Sequence, residues 1–295
     1  MTSSAPTGTV GVVGVVGLGN MGHELASNLV ASGLDVVVHD ALGPARSPEG
    51  ATFLTSTADI ARRAEVVVLS LPDGAVSAQV AREVVAVAGG DRRTSLVIDT
   101  STVGVRAAEE IAELLGRQGV EHVDAPVSGG PAGARARTLV VMYAGTDAAC
   151  AHAEPVLAGL SDRRHRVGDR PGNGQAMKLA NNFLSAVALA ATSEAIAFGR
   201  SAGLEMGTML EVLNGASGRS AASTDKFPDH VLTGRYASGF TSTLMAKDVQ
   251  LYLQAVEEQG GARAVGAVTA SIWERFAAEE PGADFTRIYP FVEGS

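Results

Sequence analysis

The sequence predicts an α/β fold in which a parallel, doubly wound sheet is followed by an all-α C-terminal domain, with a long helix joining the two. Short apolar runs typical of buried strands alternate with helical patterns as far as about residue 168. From residue 174 onward the apolar side chains recur at helical spacing alone. We therefore predict three parts: a disordered leader at residues 1–9, an N-terminal domain at 10–168 and a helical domain at 169–295.

A glycine-rich turn marks the start of the N-terminal domain. A valine-rich strand at residues 9–16 leads directly into GLGNMG at 17–22, and a helix at 21–32 and a strand at 35–39 follow. In a G-x-G-x-x-G turn the first glycine permits the tight bend, the second lets a pyrophosphate approach the backbone, and the third lets the helix pack on the strand. The helix N-terminus would offer N–H groups to the phosphates. This context predicts dinucleotide binding on a Rossmann-type sheet, and a plain glycine turn of an unrelated fold is the alternative.

The acid that ends the second strand bears on the choice of dinucleotide. A carboxylate at this position accepts hydrogen bonds from the ribose 2′-OH of NAD and repels the 2′-phosphate of NADP. Asp40 occupies it, and no arginine adjoins it in sequence, although Arg46 follows in a loop rich in Gly and Pro. We therefore predict NAD as the cofactor, with NADP less favoured.

The remaining strands bring several loops to one edge of the sheet. Further strands are predicted at residues 65–71, 95–100, 120–125, 138–144 and 163–167, and further helices at 58–64, 75–87, 106–117 and 147–160. Ligands of doubly wound sheets bind beyond the carboxyl ends of the strands. Leu71-Pro72, Ser101-Thr102 and the segment 126–130 follow strands, so we expect them to line one cleft.

The segment 123–130, VDAPVSGG, leaves a strand and enters a glycine turn. The backbone N–H groups of Ser128, Gly129 and Gly130, together with the Ser128 hydroxyl, would form a small anion-binding nest. An ordinary loop that uses glycine for a positive φ is the alternative.

Residues 172–203 are predicted to form one long helix with glycines at both ends. It is as long as a membrane span, but Lys178, Asn181, Asn182 and Glu194 interrupt it, so a buried scaffold helix fits better. Lys178 and Asn182 are four residues apart, which places an amine and an amide on one face. A lysine in such a helix is more often solvated than held in a cleft. Further helices are predicted at 205–214, 226–233, 243–258 and 264–278, before a loosely held end at 281–295.

Composition argues against several classes of function. The 295 residues carry 32 acidic against 23 basic side chains, for a formal net charge of -9, which disfavours nucleic acid or an anionic membrane as a partner. Cys150 is the single cysteine, and the six histidines lack metal-ligand spacing, so we predict no metal site and surface or turn positions for the histidines. No signal sequence is recognisable, so a cytoplasmic protein is expected. The apolar faces of the helical domain predict a homo-oligomer, a dimer or a tetramer.

Four motifs occur in an order that resembles the β-hydroxyacid dehydrogenase family, which includes 3-hydroxyisobutyrate dehydrogenases and tartronate semialdehyde reductases. The motifs are GLGNMG at 17–22, DAPVSGG at 124–130, GNG at 172–174 followed by Lys178, Asn181 and Asn182, and Lys247-Asp248. The resemblance covers residues 9–285. It departs from the family pattern before the next strand, where another glycine is usual and this chain has RART at 135–138.

The resemblance implies an NAD-dependent interconversion of a small 3-hydroxy acid and its semialdehyde, with a small carboxylate as the substrate. Lys178 corresponds to the catalytic lysine, and Asn182 to the amide that helps to hold the lysine and the substrate. Ser128, Gly129 and Gly130 correspond to the loop that binds the substrate carboxylate. Cofactor contacts are implied for Asn20, Met21, Leu71, Pro72, Thr102 and Lys247, in addition to Gly17, Gly19, Gly22 and Asp40 from the glycine fingerprint, and Asp248 would be structural.

The chemistry of hydride transfer supports a lysine in this role. Oxidation of an alcohol by nicotinamide needs a group that takes the hydroxyl proton, and the reverse reaction needs one that returns it, and an amine does both. In the family the segment at 217–220 can close over the substrate. Arg219 would then bind a second anionic group of the substrate, or else is solvated.

Two alternative functions remain. An imine reductase, or another NAD(P)-dependent reductase, would share the fold and the fingerprint, although imine reductases usually lack the lysine and the carboxylate loop. A non-catalytic dinucleotide-binding sensor would bind NAD(H), turn over no hydroxy acid and be indifferent to Lys178→Ala.

Overall fold

A computed structural model describes residues 10–294, so the leader predicted at residues 1–9 lies outside the described residues. The described chain forms two compact units, which divide between Met177 and Lys178. A 29-residue helix, Asn173–Ser201, continues through this boundary, whereas the boundary predicted from the sequence, at 168–169, follows the last strand.

The first unit is built on a nine-stranded sheet with the order β3-β2-β1-β4-β5-β6-β8-β7, and β9 pairs with β8. The strands are β1 Val13–Val16, β2 Val36–His39, β3 Thr52–Phe53, β4 Val66–Leu69, β5 Leu96–Asp99, β6 Glu121–Asp124, β7 Val127–Ser128, β8 Val140–Ala144 and β9 Arg163–Gly168. The helices are α1 Gly22–Ala31, α2 Thr57–Arg63, α3 Gly74–Ala86, α4 Val105–Gly116, α5 Gly130–Arg135 and α6 Asp147–Leu160. The sequence did not predict β3, β7 and α5, because two to six residues are too few to show a period.

The sheet is parallel from β3 to β6, as predicted, but it is not parallel throughout. Strand β8 is antiparallel to β6, through Asp124 and Ala144, and antiparallel to β7. The reason lies in the chain between them: β7 begins three residues after β6 ends, and the short helix α5 then turns the chain back. Strand β9 pairs parallel with β8, so the two run against the rest of the sheet.

Helices cover both faces of this sheet, which explains why its central strands are almost continuously apolar. Alternate strand side chains point to opposite faces. On one face they pack with α1 and α6, as Val15 does in the cluster that contains Leu25 and Val156. On the other face they pack with α2, α3 and α4, as Val67 does in the cluster that contains Ile111.

The second unit is helical throughout its described residues. Its elements are the greater part of α7 Asn173–Ser201, α8 Met206–Asn214, a π-helix Ala222–Val231, α9 Ser242–Glu258, α10 Ala264–Glu279, a short 3-10 helix Phe285–Arg287 and α11 Ile288–Glu293. Trp273 and Phe276 of α10 are completely buried in its core beside Phe227. The helix predicted at 226–233 lies within and just beyond the π-helix, which begins earlier and contains Pro228.

The prediction of a loosely held end is wrong for residues 281–293. Phe285, Ile288 and Tyr289 are each at most 3% exposed and belong to the core of the second unit. The carboxylate of Asp284 accepts hydrogen bonds from the Ser238 hydroxyl and from backbone N–H groups, which fixes the start of this segment. Tertiary burial of three large side chains therefore orders a stretch whose own sequence period is weak.

The prediction of surface or turn positions for the histidines is wrong for His122. It lies in β6, opposite Val97 of β5, and its side chain is buried. Burial lowers the pKa of His122 to about 4, because the charged imidazolium would lose its water. Among the described residues neither ring nitrogen has a hydrogen-bond partner.

Candidate active site

The glycine-rich turn between β1 and α1 has the shape that the fingerprint requires. Gly17 has a φ of +92°, and a Cβ there would lie 2.4 Å from the Ser70 carbonyl oxygen. A Cβ at Gly22 would overlap the Gly17 carbonyl oxygen, so only glycine lets α1 pack against the turn. At Gly19 no heavy atom of the described chain lies within 4 Å of a Cβ, so the middle of the turn is open. Asn20 and Met21 follow it at the N-terminus of α1.

Asp40, directly after β2, holds this turn through backbone hydrogen bonds. Its Oδ2 accepts from the Leu18 N–H at 2.5 Å, and its Oδ1 accepts from the Leu42 N–H at 2.8 Å. Arg46 also reaches the turn, because its Nη2 donates to the Asn20 Oδ1 at 2.7 Å. The loop after β2 therefore places both an acidic and a basic side chain beside the glycine turn.

A hydrogen bond to Ser101 connects the loop after β4 with the loop after β5. The Leu71 N–H donates to Ser101 Oγ at 2.8 Å, and the Ser101 N–H donates to Asp99 Oδ1 at 2.9 Å. Pro72 is exposed, and Thr102 is half-buried next to Ser101. The structure thus brings the predicted cofactor residues of both loops to the same edge of the sheet, which is the carboxyl edge at which doubly wound folds bind ligands.

The predicted carboxylate loop leaves β7 and enters α5. Ser128 ends β7, Gly129 precedes α5 with a φ of +134°, and Gly130 starts it with a φ of +63°. At the departure from the family pattern, Arg137 has a φ of +57°, a conformation that favours glycine. The Arg137 guanidinium donates to the Ala158 carbonyl at 3.0 Å, so a tertiary contact helps to hold this strained residue.

Two functional candidates that sequence reasoning did not identify meet at the start of α7: Gln175 in its first turn and Asp124 of β6, which binds that turn. The buried carboxylate of Asp124, at the end of β6, accepts from the Gly172 N–H at 3.0 Å and from the Gln175 N–H at 2.9 Å. Burial raises the pKa of Asp124 to about 7, and the two backbone hydrogen bonds act against that shift. The fully buried side chain of Gln175 binds the β5–α4 loop. The sequence held one signal for these two residues: Asp124 lies within the motif DAPVSGG, and Gln175 directly follows the motif GNG.

In the second unit, α7 and α9 bring four polar side chains of the predicted site together. Asn182 Nδ2 donates to Asp248 Oδ2 at 2.5 Å, and Lys247 Nζ lies 3.3 Å from Asp248 Oδ1. Lys178 is 6% exposed. Burial lowers the pKa of the Lys178 ammonium to about 8; the negative charge of Asp248 opposes this shift, and the positive charge of Lys247 adds to it. Lys178 is therefore held in a buried, charged cluster rather than solvated.

Among the described residues of the second unit, no hydrogen bond or ion pair joins the Arg219 side chain to this cluster. Arg219 is exposed in the loop between α8 and the π-helix, where the Ser220 N–H donates to Ser223 Oγ at 2.9 Å. Its role in substrate binding stays a prediction. Within residues 10–294 no group of three His, Cys, Asp or Glu side chains is placed to hold a metal ion.

Both parts of the chain match known protein families. Residues 12–168 match the NAD-binding domain of 6-phosphogluconate dehydrogenase, and residues 172–292 match the NAD-binding domain of NADP-dependent 3-hydroxyisobutyrate dehydrogenase. A probable 3-hydroxyisobutyrate dehydrogenase of Mycobacterium tuberculosis is 33% identical over 279 residues, which are 92% of this chain and 94% of that protein. The 2-(hydroxymethyl)glutarate dehydrogenase of Eubacterium barkeri is 31% identical, over 87% of this chain and 86% of that protein.

Solved structures agree with these matches. The Mycobacterium tuberculosis 3-hydroxyisobutyrate dehydrogenase, described with L-serine, superposes with a TM-score of 0.88 at 32% identity, over 96% of this chain and 99% of that one. An imine reductase from Myxococcus stipitatus, described with NAD+, gives a TM-score of 0.63 at 21% identity, over 97% of this chain and 100% of that one, which is a likeness of fold alone. The matches over both domains, together with a glycine turn of the shape that the dinucleotide fingerprint requires, identify the chain as an NAD(P)-dependent oxidoreductase that belongs to the β-hydroxyacid dehydrogenase family.

Proposed function

We propose that the protein interconverts a small 3-hydroxy acid, similar to 3-hydroxyisobutyrate, and its semialdehyde, with NAD as the hydride carrier. The observation that carries this proposal is the buried Lys178, whose pKa lies near 8 beside Asp248. The names of two relatives support the substrate class, since 3-hydroxyisobutyrate and 2-(hydroxymethyl)glutarate both carry a primary alcohol one carbon away from the carbon that bears the carboxylate.

Lys178 acts as the acid and the base of this reaction. In the oxidation direction its neutral amine takes the proton of the substrate hydroxyl, and in the reduction direction its ammonium returns a proton to the developing alkoxide. A pKa near the working pH makes both forms available, which a solvated lysine with a pKa above 10 would not. The bound nicotinamide accepts or supplies the hydride itself.

Asn182 positions the reacting groups. Its Nδ2 is committed to Asp248, and its Oδ1 accepts from Asn181 Nδ2 at 3.0 Å. A carboxamide fixed in this way has one remaining lone pair on Oδ1, which is available to the Lys178 ammonium or to the substrate hydroxyl. Asp248 thus orients Asn182 by a hydrogen bond and acts on Lys178 through its charge.

The backbone of Ser128, Gly129 and Gly130 binds the substrate carboxylate in this proposal. Two glycines with positive φ leave their N–H groups unobstructed by side chains, and the Ser128 hydroxyl adds a further donor. Arg219 would bind a second anionic group, if the substrate has one, through its planar guanidinium. Substrates with one carboxylate would then be insensitive to Arg219→Ala, whereas dicarboxylate substrates would lose affinity in that variant.

NAD is the proposed cofactor, and NADP the weaker one. The Asp40 carboxylate supports this preference because it repels a 2′-phosphate. Arg46, whose guanidinium donates to Asn20, is the cation that would bind the 2′-phosphate of NADP. The Lys247 ammonium, 27% exposed on α9, is the further cofactor contact carried over from the family resemblance.

We also propose that the protein is a cytoplasmic homodimer or homotetramer, with neither nucleic acid nor a membrane as a partner. Leu184 and Phe198 of α7 are 65% and 75% exposed, and they lie on one face of the helix about four turns apart. A second copy that packs on this face would remove both side chains from water. Helix α7 is long and apolar enough to span a membrane, but it carries Lys178, Asn182 and Ser193, which are buried in this fold. Transfer of these polar side chains into lipid would be unfavourable. A monomer in light scattering would contradict the oligomer.

Initial rates test the function. The substrates are a panel of 3-hydroxy acids and semialdehydes, with NAD(H) and NADP(H) in parallel, and the proteins are wild type, Lys178→Ala and, as a matched lysine control in the second unit, Lys226→Ala. We expect turnover that prefers NAD(H), is lost by about 10²–10⁴-fold in Lys178→Ala and persists in the control. Turnover of imines instead of acids would favour the imine reductase, and tight NAD(H) binding without any turnover would favour the sensor.

A further inference from the structure

The side chain of Gln175 makes three hydrogen bonds to the backbone, and no motif in the sequence predicts them. Its Oε1 accepts from the Val103 N–H at 3.0 Å and from the Gly104 N–H at 3.2 Å, and its Nε2 donates to the Ser101 carbonyl at 3.0 Å. The residue is completely buried. One carboxamide therefore satisfies three backbone groups of a single loop, the one that connects β5 to α4.

That loop leads into α4 without a side-chain cap. Gly104 precedes α4 as its N-cap, with a φ of +90°, and a glycine has no side chain to cap the helix. The amide oxygen of Gln175 accepts from the two N–H groups directly before α4, those of Val103 and Gly104. Since unpaired buried N–H groups are unfavourable, the conformation of the loop depends on Gln175.

Gln175 is itself fixed from the other side. Its own N–H donates to Asp124 Oδ2, and the Gly172 N–H donates to Asp124 Oδ1, so the first turn of α7 is anchored to the end of β6. Gly174 allows the close approach, because a Cβ there would lie 2.7 Å from Asp124 Oδ2. The carboxamide thus connects a rigid anchor with the β5–α4 loop.

The loop it holds carries predicted cofactor contacts. Thr102 is flanked by Ser101 and Val103, which both bond to Gln175. Ser101 in turn accepts the Leu71 N–H, so the arrangement extends to the loop after β4. Both loops lie at the carboxyl edge of the sheet, where a doubly wound fold binds its dinucleotide.

We propose that Gln175 is a positioning residue for the dinucleotide: its carboxamide holds the β5–α4 loop, and through Ser101 the β4–α3 loop, in the conformation that binds the cofactor. This inference rests on the proposed function only in the assignment of Thr102 and Leu71 as cofactor contacts. It does not depend on which acid is the substrate.

A carboxyl group at position 175 tests the donor and the acceptor separately. The ionised form of Gln175→Glu accepts from the Val103 and Gly104 N–H groups but repels the Ser101 carbonyl, whereas its protonated form donates to that carbonyl again. Gln175→Ala loses both functions at every pH. Gln79→Ala is the control, since Gln79 is exposed on α3, where its side chain donates to Glu83 of the same helix.

The experiment is titration of each protein with NADH, followed by nicotinamide fluorescence, from pH 5.5 to pH 8.5, with the wild type at the same pH as the reference. That reference allows for the titratable groups that face this turn, which are Asp124 from β6, Asp99 from β5 and Glu109 from α4 beside Gly172. We expect Gln175→Ala to bind NADH about tenfold more weakly or worse at all pH values, as for the loss of one or more buried hydrogen bonds. Gln175→Glu should bind NADH more weakly than the wild type at high pH, where its carboxylate repels the Ser101 carbonyl, and should approach the wild type as the pH falls. Gln79→Ala should be unchanged.

Two results would overturn the proposal. One is wild-type NADH affinity in Gln175→Ala, even with a lowered melting temperature, because the residue would then serve stability alone. The other is an affinity of Gln175→Glu that does not recover at low pH; this arm still decides the matter if Gln175→Ala fails to fold. Because NADH binding is measured without a substrate, a wild type that binds NADH but turns over no 3-hydroxy acid would contradict the proposed function and leave this inference open to the same test.

Discussion

The two units use their polar site residues in opposite ways. In the first unit Asp40, Asp124, Ser101 and Gln175 all bond to backbone groups, so that the side chains hold the shape of the loops. In the second unit the side chains bond to one another, as Asn182 does to Asp248. The first unit is therefore a backbone cradle that side chains hold in place, and the second is a set of coupled charges.

This difference has consequences for substitution. A backbone cradle is damaged by loss of shape, and an isosteric side chain that keeps the hydrogen bond should keep the function. A charge cluster is damaged by any change of charge or acidity, even where the shape is retained. The predictions below separate these two modes, from the largest expected effect to the smallest.

Lys178→Arg is the sharpest test of the charge cluster. Arginine keeps the positive charge and nearly the size of lysine, but it does not lose its proton at working pH. We expect kcat to fall by about 10²–10⁴-fold in both directions, because general acid–base catalysis is lost. Steady-state rates with a 3-hydroxy acid and with its semialdehyde measure this. A variant with near-normal kcat would show that the second unit contributes charge alone, not proton transfer.

Asp248→Asn alters the acidity of the lysine while it keeps the shape. The asparagine Oδ1 still accepts from Asn182, but the negative charge that raises the pKa of Lys178 is gone. The pKa of Lys178 should then fall below about 8. In the oxidation direction the rate rises with pH as the lysine becomes neutral, so the midpoint of that rise should move to lower pH. The pH profile of kcat shows the shift, and an unmoved midpoint would remove Asp248 from the electrostatics of the site.

Asp40→Asn tests whether charge also matters in the backbone cradle. The amide keeps one acceptor for the two N–H groups of Leu18 and Leu42 and loses the negative charge. We expect the preference for NAD over NADP, measured as the ratio of kcat/KM values, to fall by about tenfold, since roughly 1.4 kcal/mol corresponds to that factor. Arg46→Ala is the complementary variant and should weaken NADP more than NAD. Equal losses with both cofactors would mean that Asp40 serves the shape of the turn alone.

The smallest effect on activity is expected for His122, whose substitution should alter stability instead. The pKa of His122 is about 4 in the folded protein and about 6.5 when exposed, so the unfolded chain binds the extra proton between these values. The free energy of unfolding should therefore fall as the pH drops from 6.5 to 4, by about 3 kcal/mol from this residue. Denaturant titrations of His122→Leu should show a flatter pH dependence. The exposed His165→Leu is the control and should keep the wild-type slope.

Motifs carried most of what the sequence predicted correctly. The alternation of strands and helices gave the α/β class, and the helices predicted at 147–160 and 243–258 agree with α6 and α9 to within a residue. These segments have long, regular periods that local chemistry alone determines. The glycine turn was equally readable, since its Gly17 and Gly22 have no sterically possible replacement.

Other features were beyond sequence reasoning because their cause is not local. The reversal of β8 depends on which strand it meets, and the ordered C-terminal helix depends on the core that receives Phe285 and Ile288. The same holds for Gln175, which is one polar residue among many in a helix until its partners at residues 101–104 are known.

The sequence by itself determined the order of the longer elements and the dinucleotide turn, because periodicity and glycine sterics act between near neighbours. Lys178 was identified as a candidate by the resemblance of its motif to a known family. The tertiary structure alone decided that Lys178 is buried near Asp248. Burial lowers the pKa of Lys178 toward working pH, and the charge of Asp248 limits that shift. Acidity depends on desolvation and on charges brought from distant parts of the chain, and no local pattern records either of them.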